Sequence, residues 1–417
     1  MQPDVTIESV GARGDGIGRI GDRRVAVEGA APGDRVRVRV TAERADTLVG
    51  TVADLLEAGP LRREPPCPHF DACGGCATQH LEESAYADWK RSLLLTALAR
   101  NGLDAALVEP TVQVAPATRR RARLSALGTA RGAVLGFSER ASRRLVDVAV
   151  CPILTPRLEA LLPGLRAFLG DVLPSGARLD VDLLDIGGTV DIGLVGGAEP
   201  GREAGAAAAA MARRAGAGRI GWRPSDAAAQ VPLAQLRPIA ANFGGVAVAV
   251  PPGAFLQATA EGEAALAAFV RAAAGQRVAE LFCGLGTFTL PLASGGARVV
   301  AWDGAAPAVG ALMAAARGAS LPVAAETRDL VRRPIVAADL KKADTVLLDP
   351  PRAGAREQMP AVTASRAGTV IYVSCNPVSF ARDARMLVDA GFRLERILPV
   401  DQFLWSPHLE LAALFRR

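Results

Sequence analysis

Residues 278–286 read Val-Ala-Glu-Leu-Phe-Cys-Gly-Leu-Gly, and Thr-Phe-Thr-Leu follows. An apolar run therefore enters a turn with glycines at 284 and 286, and the turn opens a helix. Such a turn lets the backbone approach a ligand closely, and in a parallel sheet it lies at the carboxyl edge, where ligands bind. Outward from this stretch, apolar runs at 297–302, 344–349 and 369–374 alternate with helical segments, with further strand-like runs near 394–400 and 409–415. The alternation predicts an α/β unit with a Rossmann-like, mixed but mainly parallel, doubly wound sheet.

Carboxylates recur at the ends of these runs. Asp303 closes the strand after the glycine turn, about 20 residues beyond the first glycine, where an acid can accept both hydroxyls of a ribose or cap the next helix. Asp329 and Asp349, the latter in Leu347-Leu-Asp-Pro-Pro-Arg352, fall at later strand or loop ends. A dinucleotide fold would carry a third glycine to accommodate a pyrophosphate, but position 289 is Thr. S-adenosylmethionine has no phosphate, so the turn suits that donor better than NAD. Cys283, inside the apolar run, reads as core packing.

Thr369-Val-Ile-Tyr-Val-Ser-Cys375-Asn-Pro377 puts a cysteine directly after a strand, at the same sheet edge. Proline two residues later cannot continue the ladder and turns the chain away, which holds the thiol at the strand end. Cys375 is accordingly a candidate covalent nucleophile, although a free thiol titrates near ~8.5 and needs activation. Covalent addition to a ring that must afterwards lose a proton also calls for a general base. Pro407-His408-Leu-Glu410, at the start of the last strand, supplies two candidates.

The 417 residues exceed one typical domain, and the net charge of +5 suits a polyanionic partner if it is clustered. The clustering occurs at Arg119-Arg-Arg-Ala-Arg123, followed by Arg131, Arg140, Arg143 and Arg144, which reads as a phosphate-contacting surface. Residues 4–56 alternate apolar and polar residues in short runs between Gly and Asp turns, as in a small β-barrel. A helical pattern spans about 81–101, with Leu93, Leu94, Leu95 and Leu98 on one side. Residues 178–195 form a hairpin pattern around Gly187-Gly188, and the Ala-rich stretch 204–217 reads as an exposed helix. No signal pattern opens the chain and no apolar run approaches the ~20 residues of a membrane helix, so a cytoplasmic location is expected.

Cysteines in a reducing compartment are read for metal or catalysis. Cys67, Cys73 and Cys76 lie within ten residues, and Gly74 and Gly75 allow a tight wrap. With His80 they would make a Cys3His zinc site; with Cys151 they would make four thiolates for a [4Fe-4S] cluster. Spacing does not separate the two.

Together the chain resembles the RNA uracil-5-methyltransferase family over essentially its whole length, especially bacterial 23S ribosomal RNA enzymes with an N-terminal TRAM barrel and an iron-sulfur cluster. The motifs are Cys67-x5-Cys73-x2-Cys76 with Cys151-Pro-Ile, Arg119-Arg-Arg-Ala-Arg123, Phe255-Leu-Gln257, Leu281-Phe-Cys-Gly-Leu-Gly286, Asp349-Pro-Pro-Arg-Ala-Gly354, Ser374-Cys-Asn-Pro377 and His408-Leu-Glu410. The resemblance implies an OB-like TRAM barrel at 1–58 and a central, β-rich iron-sulfur and RNA-contacting domain at 59–250. A methyltransferase domain follows at 251–417, and the helical segment about 81–111 is expected to pack on it.

The resemblance also implies roles: Cys375 adds to carbon 6 of uracil and Glu410, in preference to His408, removes the carbon 5 proton. Gln257, Phe282, Gly284, Gly286, Asp303, Asp329 and Asp349 form the S-adenosylmethionine site, and Cys67, Cys73, Cys76 and Cys151 hold a [4Fe-4S] cluster, with zinc the lesser alternative. Arg119, Arg120, Arg121, Arg123 and His408 contact RNA. The expected partner is a single-stranded or loop region of 23S rRNA, and the protein is expected to be a monomer. A transfer RNA enzyme of the same chemistry and a non-catalytic, metal-containing RNA-binding protein are the alternatives. The chain departs from the family in having Asp303 where Glu is common, Thr259 where Asn is frequent, and an unusual Phe403-Leu-Trp-Ser-Pro407 loop.

Overall fold

The computed structural model describes residues 2–201 and 203–417. Around the glycine turn lies an eight-stranded sheet in the order Val323–Thr327, Arg298–Asp303, Arg277–Leu281, Thr345–Leu348, Thr369–Ser374, Glu410–Arg416, Arg393–Asp401 and Val112–Gln113. The first five strands are parallel. The sixth runs antiparallel to both neighbours. The expected mixed, mainly parallel Rossmann-like sheet is thus present. Its strand order reverses between Arg277–Leu281 and Thr345–Leu348, and the crevice above that reversal is where such sheets take ligands.

These strands are buried on both faces, which is why they read as unbroken apolar runs rather than alternating ones. Leu281, Val346, Leu348, Val370 and Tyr372 face a layer containing Phe380, Phe392 and Phe415. Val278, Leu347, Ile371 and Val373 face the opposite layer with Leu266, Phe269, Leu290 and Leu312. The first layer also takes in Leu94, Leu98, Leu103 and Val108. They come from the helix Glu83–Arg100 and the turn after it, far upstream in the chain. Val112–Gln113 then completes the sheet edge beside Val400–Asp401.

The central region is a seven-stranded sheet in which Arg178–Ile186 and Thr189–Val195 form the expected hairpin. Its turn residues Gly187 and Gly188 have φ of +60° and +77°. The Ala-rich helix Glu203–Ala215 differs from the exposed element expected, since Ala208, Met211 and Ala212 are buried in the core of this sheet. Small methyl side chains let a helix approach a sheet closely, a role that composition alone does not reveal.

The N-terminal six strands enclose Val5, Ile7, Val25, Val27, Val36 and Val38. Asp4–Thr6 pairs with Arg35–Arg37, while Glu8 donates its N–H to Ile17 O at 2.7 Å on the other side, so the sheet curls on itself. Arg62 fastens this unit to the segment after it by donating to buried Asp34 at 2.7 Å.

Candidate active site

The sheet edge predicted from sequence assembles as one crevice. Cys375 directly follows the strand Thr369–Ser374, and Pro377 begins the helix Pro377–Asp389. Asn376 caps that helix, its carbonyl oxygen accepting from Val378 N at 3.1 Å. Its amide donates to Arg352 O at 2.9 Å and so ties the thiol's turn to the Asp349-Pro-Pro-Arg352 loop. Burial pushes the Cys375 thiol up to about 11, the nearby Glu410 and Asp349 carboxylates add to the rise, and Arg352 opposes it.

Glu410 opens its strand and is buried, with one oxygen accepting from Gln402 Nε2 at 2.8 Å. The same Gln402 amide donates to Gln257 Oε1 at 2.7 Å, while its oxygen accepts from Ala258 N at 3.0 Å. Gln257 in turn donates to Asp349 Oδ2 at 3.5 Å. A chain of polar contacts therefore runs from Glu410 through two amides to Asp349. Burial raises both Glu410 and Asp349 above the ordinary carboxylate range; the charge of Asp349 adds to the rise of Glu410, and the charge of Asp303 to that of Asp349.

At the glycine turn, Gly284 and Gly286 have φ of +52° and +87°, and Phe282 also has a positive φ, +65°. A Cβ on Gly286 would lie 2.5 Å from Leu312 Cδ1, so glycine is required there for packing as well as conformation. Asp303 accepts from Gly284 N at 2.9 Å and from Ala305 N at 2.7 Å, so it braces the glycine turn and the residues that lead into the next helix without capping that helix itself. Asp329 is exposed and caps its own loop through Val331 N and Arg332 N, both at 3.0 Å. It lies beside the Asp303 turn, where Arg328 N donates to Asp303 O.

Two residues that the sequence did not single out, Glu280 and Gln402, belong to this site, and a third, Lys90, lies behind it. Glu280 lies wholly buried beneath the turn; Thr289 Oγ1 donates to one of its oxygens at 2.6 Å and the other has no partner. Burial raises it to about 8. An acid inside an otherwise apolar strand was a visible signal for it. Gln402, the hub of the amide chain, carried no such signal. Neither did Lys90, a lone charge within a helix.

The arginine cluster divides. Arg119 lies over the Phe403 ring at 5.9 Å and Arg121 over Phe255 at 4.6 Å, with Phe255 itself 59% exposed. Arg123 pairs with Asp182 and Asp226 at 2.6 Å. Arg120 points inward, donating to Gln257 O at 3.0 Å and Glu263 at 2.6 Å, so it supports the site from below. A cavity of about 500 Å³ bounded by Arg119, Arg121, Arg123, Arg223, Phe255 and Phe403 opens beside the crevice. His408 is half-buried and held near about 4, chiefly by burial and then by Arg352, whose Nη2 lies 2.5 Å from its Nδ1.

Cys67, Cys73, Cys76 and Cys151 line a second cavity of about 460 Å³, which shares Arg119, Phe403 and His408 with the crevice side. Arg140 shapes its cysteine loop by donating to the carbonyls of Cys73, Phe70 and Cys76 at 3.2, 2.9 and 2.7 Å. Among the described residues no three metal-binding side chains converge closely enough to hold a single ion. A zinc site with bonds of about 2.3 Å would draw its sulfurs within about 3.8 Å of one another. His80 is not on the cavity wall; it is buried against Phe70 at 5.5 Å, with neither ring nitrogen partnered by a side chain. The donor set is therefore four thiols around a chamber.

Comparison with known proteins gives the family and the fold. A tRNA (uracil-5-)-methyltransferase family model matches residues 252–417 and a TRAM domain model matches residues 3–53. An uncharacterized RNA methyltransferase of Caulobacter vibrioides is 43% identical, covering 99% of this chain and 100% of its own. The 23S rRNA (uracil(1939)-C(5))-methyltransferase of Pectobacterium atrosepticum is 32% identical over 99% of this chain and 93% of its own. In three dimensions, the Pyrococcus abyssi tRNA (uracil-54, C5)-methyltransferase, solved with S-adenosyl-L-homocysteine, superposes with a TM-score of 0.77 at 24% identity over the full length of both chains.

Proposed function

From the premise that the chain belongs to the RNA uracil-5-methyltransferase family, we propose that it methylates carbon 5 of a uridine in 23S rRNA through a covalent Cys375 adduct, with Glu410 as base. The observation that carries the reading is the polar chain Glu410, Gln402, Gln257, Asp349 at the sheet edge that presents Cys375.

Carbon 5 of uracil is too weak a nucleophile to attack a sulfonium methyl unaided. Addition of the Cys375 sulfur at carbon 6 places electrons on carbon 5 as an enolate, which can do so. Addition needs the thiolate, so the Cys375 proton passes to solvent as the sulfur bonds to carbon 6, and the raised thiol makes that loss harder at neutral pH. Once carbon 5 carries the methyl group, Glu410 takes the remaining proton there, the double bond re-forms and the cysteine sulfur departs. A base whose pKa sits nearer neutrality than a free carboxylate suits this step.

S-adenosylmethionine supplies the methyl group. The residues that would hold it are Phe282, Gly284, Gly286, Asp303, Asp329, Asp349 and Gln257; the open glycine turn and the unpartnered oxygen of buried Glu280 fit a polar ligand in the crevice. Cys67, Cys73, Cys76 and Cys151, which line one cavity, would hold a [4Fe-4S] cluster through four thiolates. Bound there, it would join the linker to the central sheet by thiolate-iron bonds. Arg119, Arg121, Arg123 and His408 border the two cavities and would meet the RNA, and exposed Phe255 offers a ring face for a base. The target uridine must leave its stack to reach Cys375, which favours a loop or single strand.

Mapping 5-methyluridine in ribosomal and transfer RNA with and without this gene tests the substrate: loss of a 23S position is expected, and loss confined to transfer RNA would replace ribosomal RNA as the target. With 5-fluorouridine RNA a stable adduct requiring Cys375 and methyl donor is expected. Absence of adduct on any cellular RNA would leave a binding protein. Glu410→Gln should slow turnover by about 100-fold or more and accumulate adduct on ordinary RNA.

A further inference from the structure

Lys90 is fully buried, as is Asp401. The lysine belongs to the helix Glu83–Arg100, where its ammonium lies over the Tyr86 and Trp89 rings, whereas its ion-pair and hydrogen-bond partners belong to the end of the strand Arg393–Asp401 and the loop that follows. Its Nζ lies 2.6 Å from Asp401 Oδ1, an ion pair without the alignment of a hydrogen bond. The same ammonium donates to Phe403 O at 3.0 Å and to His408 O at 2.5 Å. Tyr86, one turn earlier, donates its hydroxyl to the other Asp401 oxygen and accepts from Trp405 N at 2.9 Å. Trp405 adopts a positive φ of +58°, a strained backbone for a large residue, which that hydrogen bond helps to hold.

The position of these contacts along the loop matters more than their number. Asp401 immediately precedes Gln402, whose amide grips Glu410 and Gln257, and His408 O lies two residues before Glu410. One ammonium therefore fixes both ends of the 402–409 loop. With both ends fixed, the 2.8 Å contact from Gln402 to Glu410 is set without any direct contact between Lys90 and the carboxylate.

We propose that Lys90, with Tyr86, is a positioning residue for the proton-abstracting step, acting through Asp401 and both ends of the 402–409 loop to hold Glu410. The inference rests on Glu410 being the base. Lys90 and Tyr86 touch neither the crevice nor Cys375, so their loss acts on carbon 5 proton removal and not on ring addition. That makes a specific kinetic signature available.

The test uses full-length protein, S-adenosylmethionine and RNA extracted from cells lacking the gene. Lys90→Met keeps the side chain's length and removes its charge; Tyr86→Phe removes one hydroxyl and leaves the ion pair. Both are compared with Glu410→Gln for kcat, KM and covalent adduct on denaturing gels, and each variant's fold is checked by circular dichroism and thermal melting. In Lys90→Met kcat should fall by about tenfold to 100-fold with KM for RNA and donor within about threefold, and adduct should accumulate as in Glu410→Gln. Tyr86→Phe should do the same to a smaller degree. If Lys90→Met does not fold, because Asp401 is left buried without its counter-ion, Tyr86→Phe decides alone. Folded variants with kcat within twofold of the parent, or with lowered kcat and no adduct while Glu410→Gln does accumulate it, overturn this inference only. Failure of Glu410→Gln itself to accumulate adduct overturns the base assignment, and this inference with it.

Discussion

At the scale of single residues, the site sets a direction for pH dependence. The Cys375 thiol is pushed up to about 11, first by burial and then by Glu410 and Asp349. Glu410 is also raised, first by burial and then by Asp349. Both groups must shed a proton in order to react, so both shifts move activity toward alkaline pH. Single-turnover methyl transfer with saturating RNA and donor should therefore climb through pH 6 to 9 rather than level off near pH 6. Asp349→Asn removes one of the charges that raise Glu410 and should move the profile toward acid by roughly one unit. A parent rate flat over that range, or a profile unmoved in Asp349→Asn, would separate these shifts from the chemistry.

The chemistry-bearing residues were the legible ones, because Cys375 and Asp349 sit in short motifs at strand ends and Gln257 in a short motif just before the helix Ala260–Ala273. Gln402, Lys90 and the inward Arg120 were not legible. Their function comes from partners 145, 313 and 137 positions away, as in Gln402 to Gln257, Lys90 to Phe403 and Arg120 to Gln257, and local pattern carries no record of such distances.

Between elements, the nucleophile's turn is held by the helix it starts. Asn376 caps Pro377–Asp389 and grips Arg352 O, while Ser379 Oγ donates to the same carbonyl at 3.0 Å. One turn further on, Asp383 accepts from Ala355 N at 2.8 Å and Tyr372 Oη at 2.7 Å. The helix thus clamps the Asp349–Ala355 loop against the strand that presents Cys375. Asn376→Ala should cost about 1 kcal/mol of stability through the lost cap. It should also lower the adduct-forming rate, because it frees Arg352 and the thiol's turn together. Denaturant unfolding and trapping with 5-fluorouridine RNA would check both, and an unchanged trapping rate would reduce Asn376 to a cap.

The alternation of strands and helices after residue 275 was readable because two-faced burial leaves long apolar runs. The Ala-rich helix was misread as exposed because its packing depends on the sheet opposite it, through Met211 and the alanines around it.

For the whole molecule, the cysteine chamber joins segments more than 70 residues apart, and its wall includes Phe403 and His408 from the loop that leads to Glu410. Ala77 N donates to Trp405 O at 2.7 Å, one residue from Cys76, which adds a direct strap between cysteine loop and catalytic loop. Chelating the iron of the proposed cluster should lower both the melting temperature and RNA affinity, measured by calorimetry and filter binding. Folding and affinity that survive chelation would deprive the cluster of a structural or RNA-positioning role.

The edge strand Val112–Gln113 and the apolar residues Leu94, Leu98, Leu103 and Val108 complete the methyltransferase sheet and one of its cores from a stretch far upstream. Residues 252–417 are consequently not a portable module. Expressed alone they would bare the edge beside Val400 and the apolar face under Leu98, and should aggregate, whereas a fragment that carries 83–113 in trans should restore solubility. Anyone grafting this catalytic unit onto another RNA-binding scaffold has to move two pieces of gene, not one.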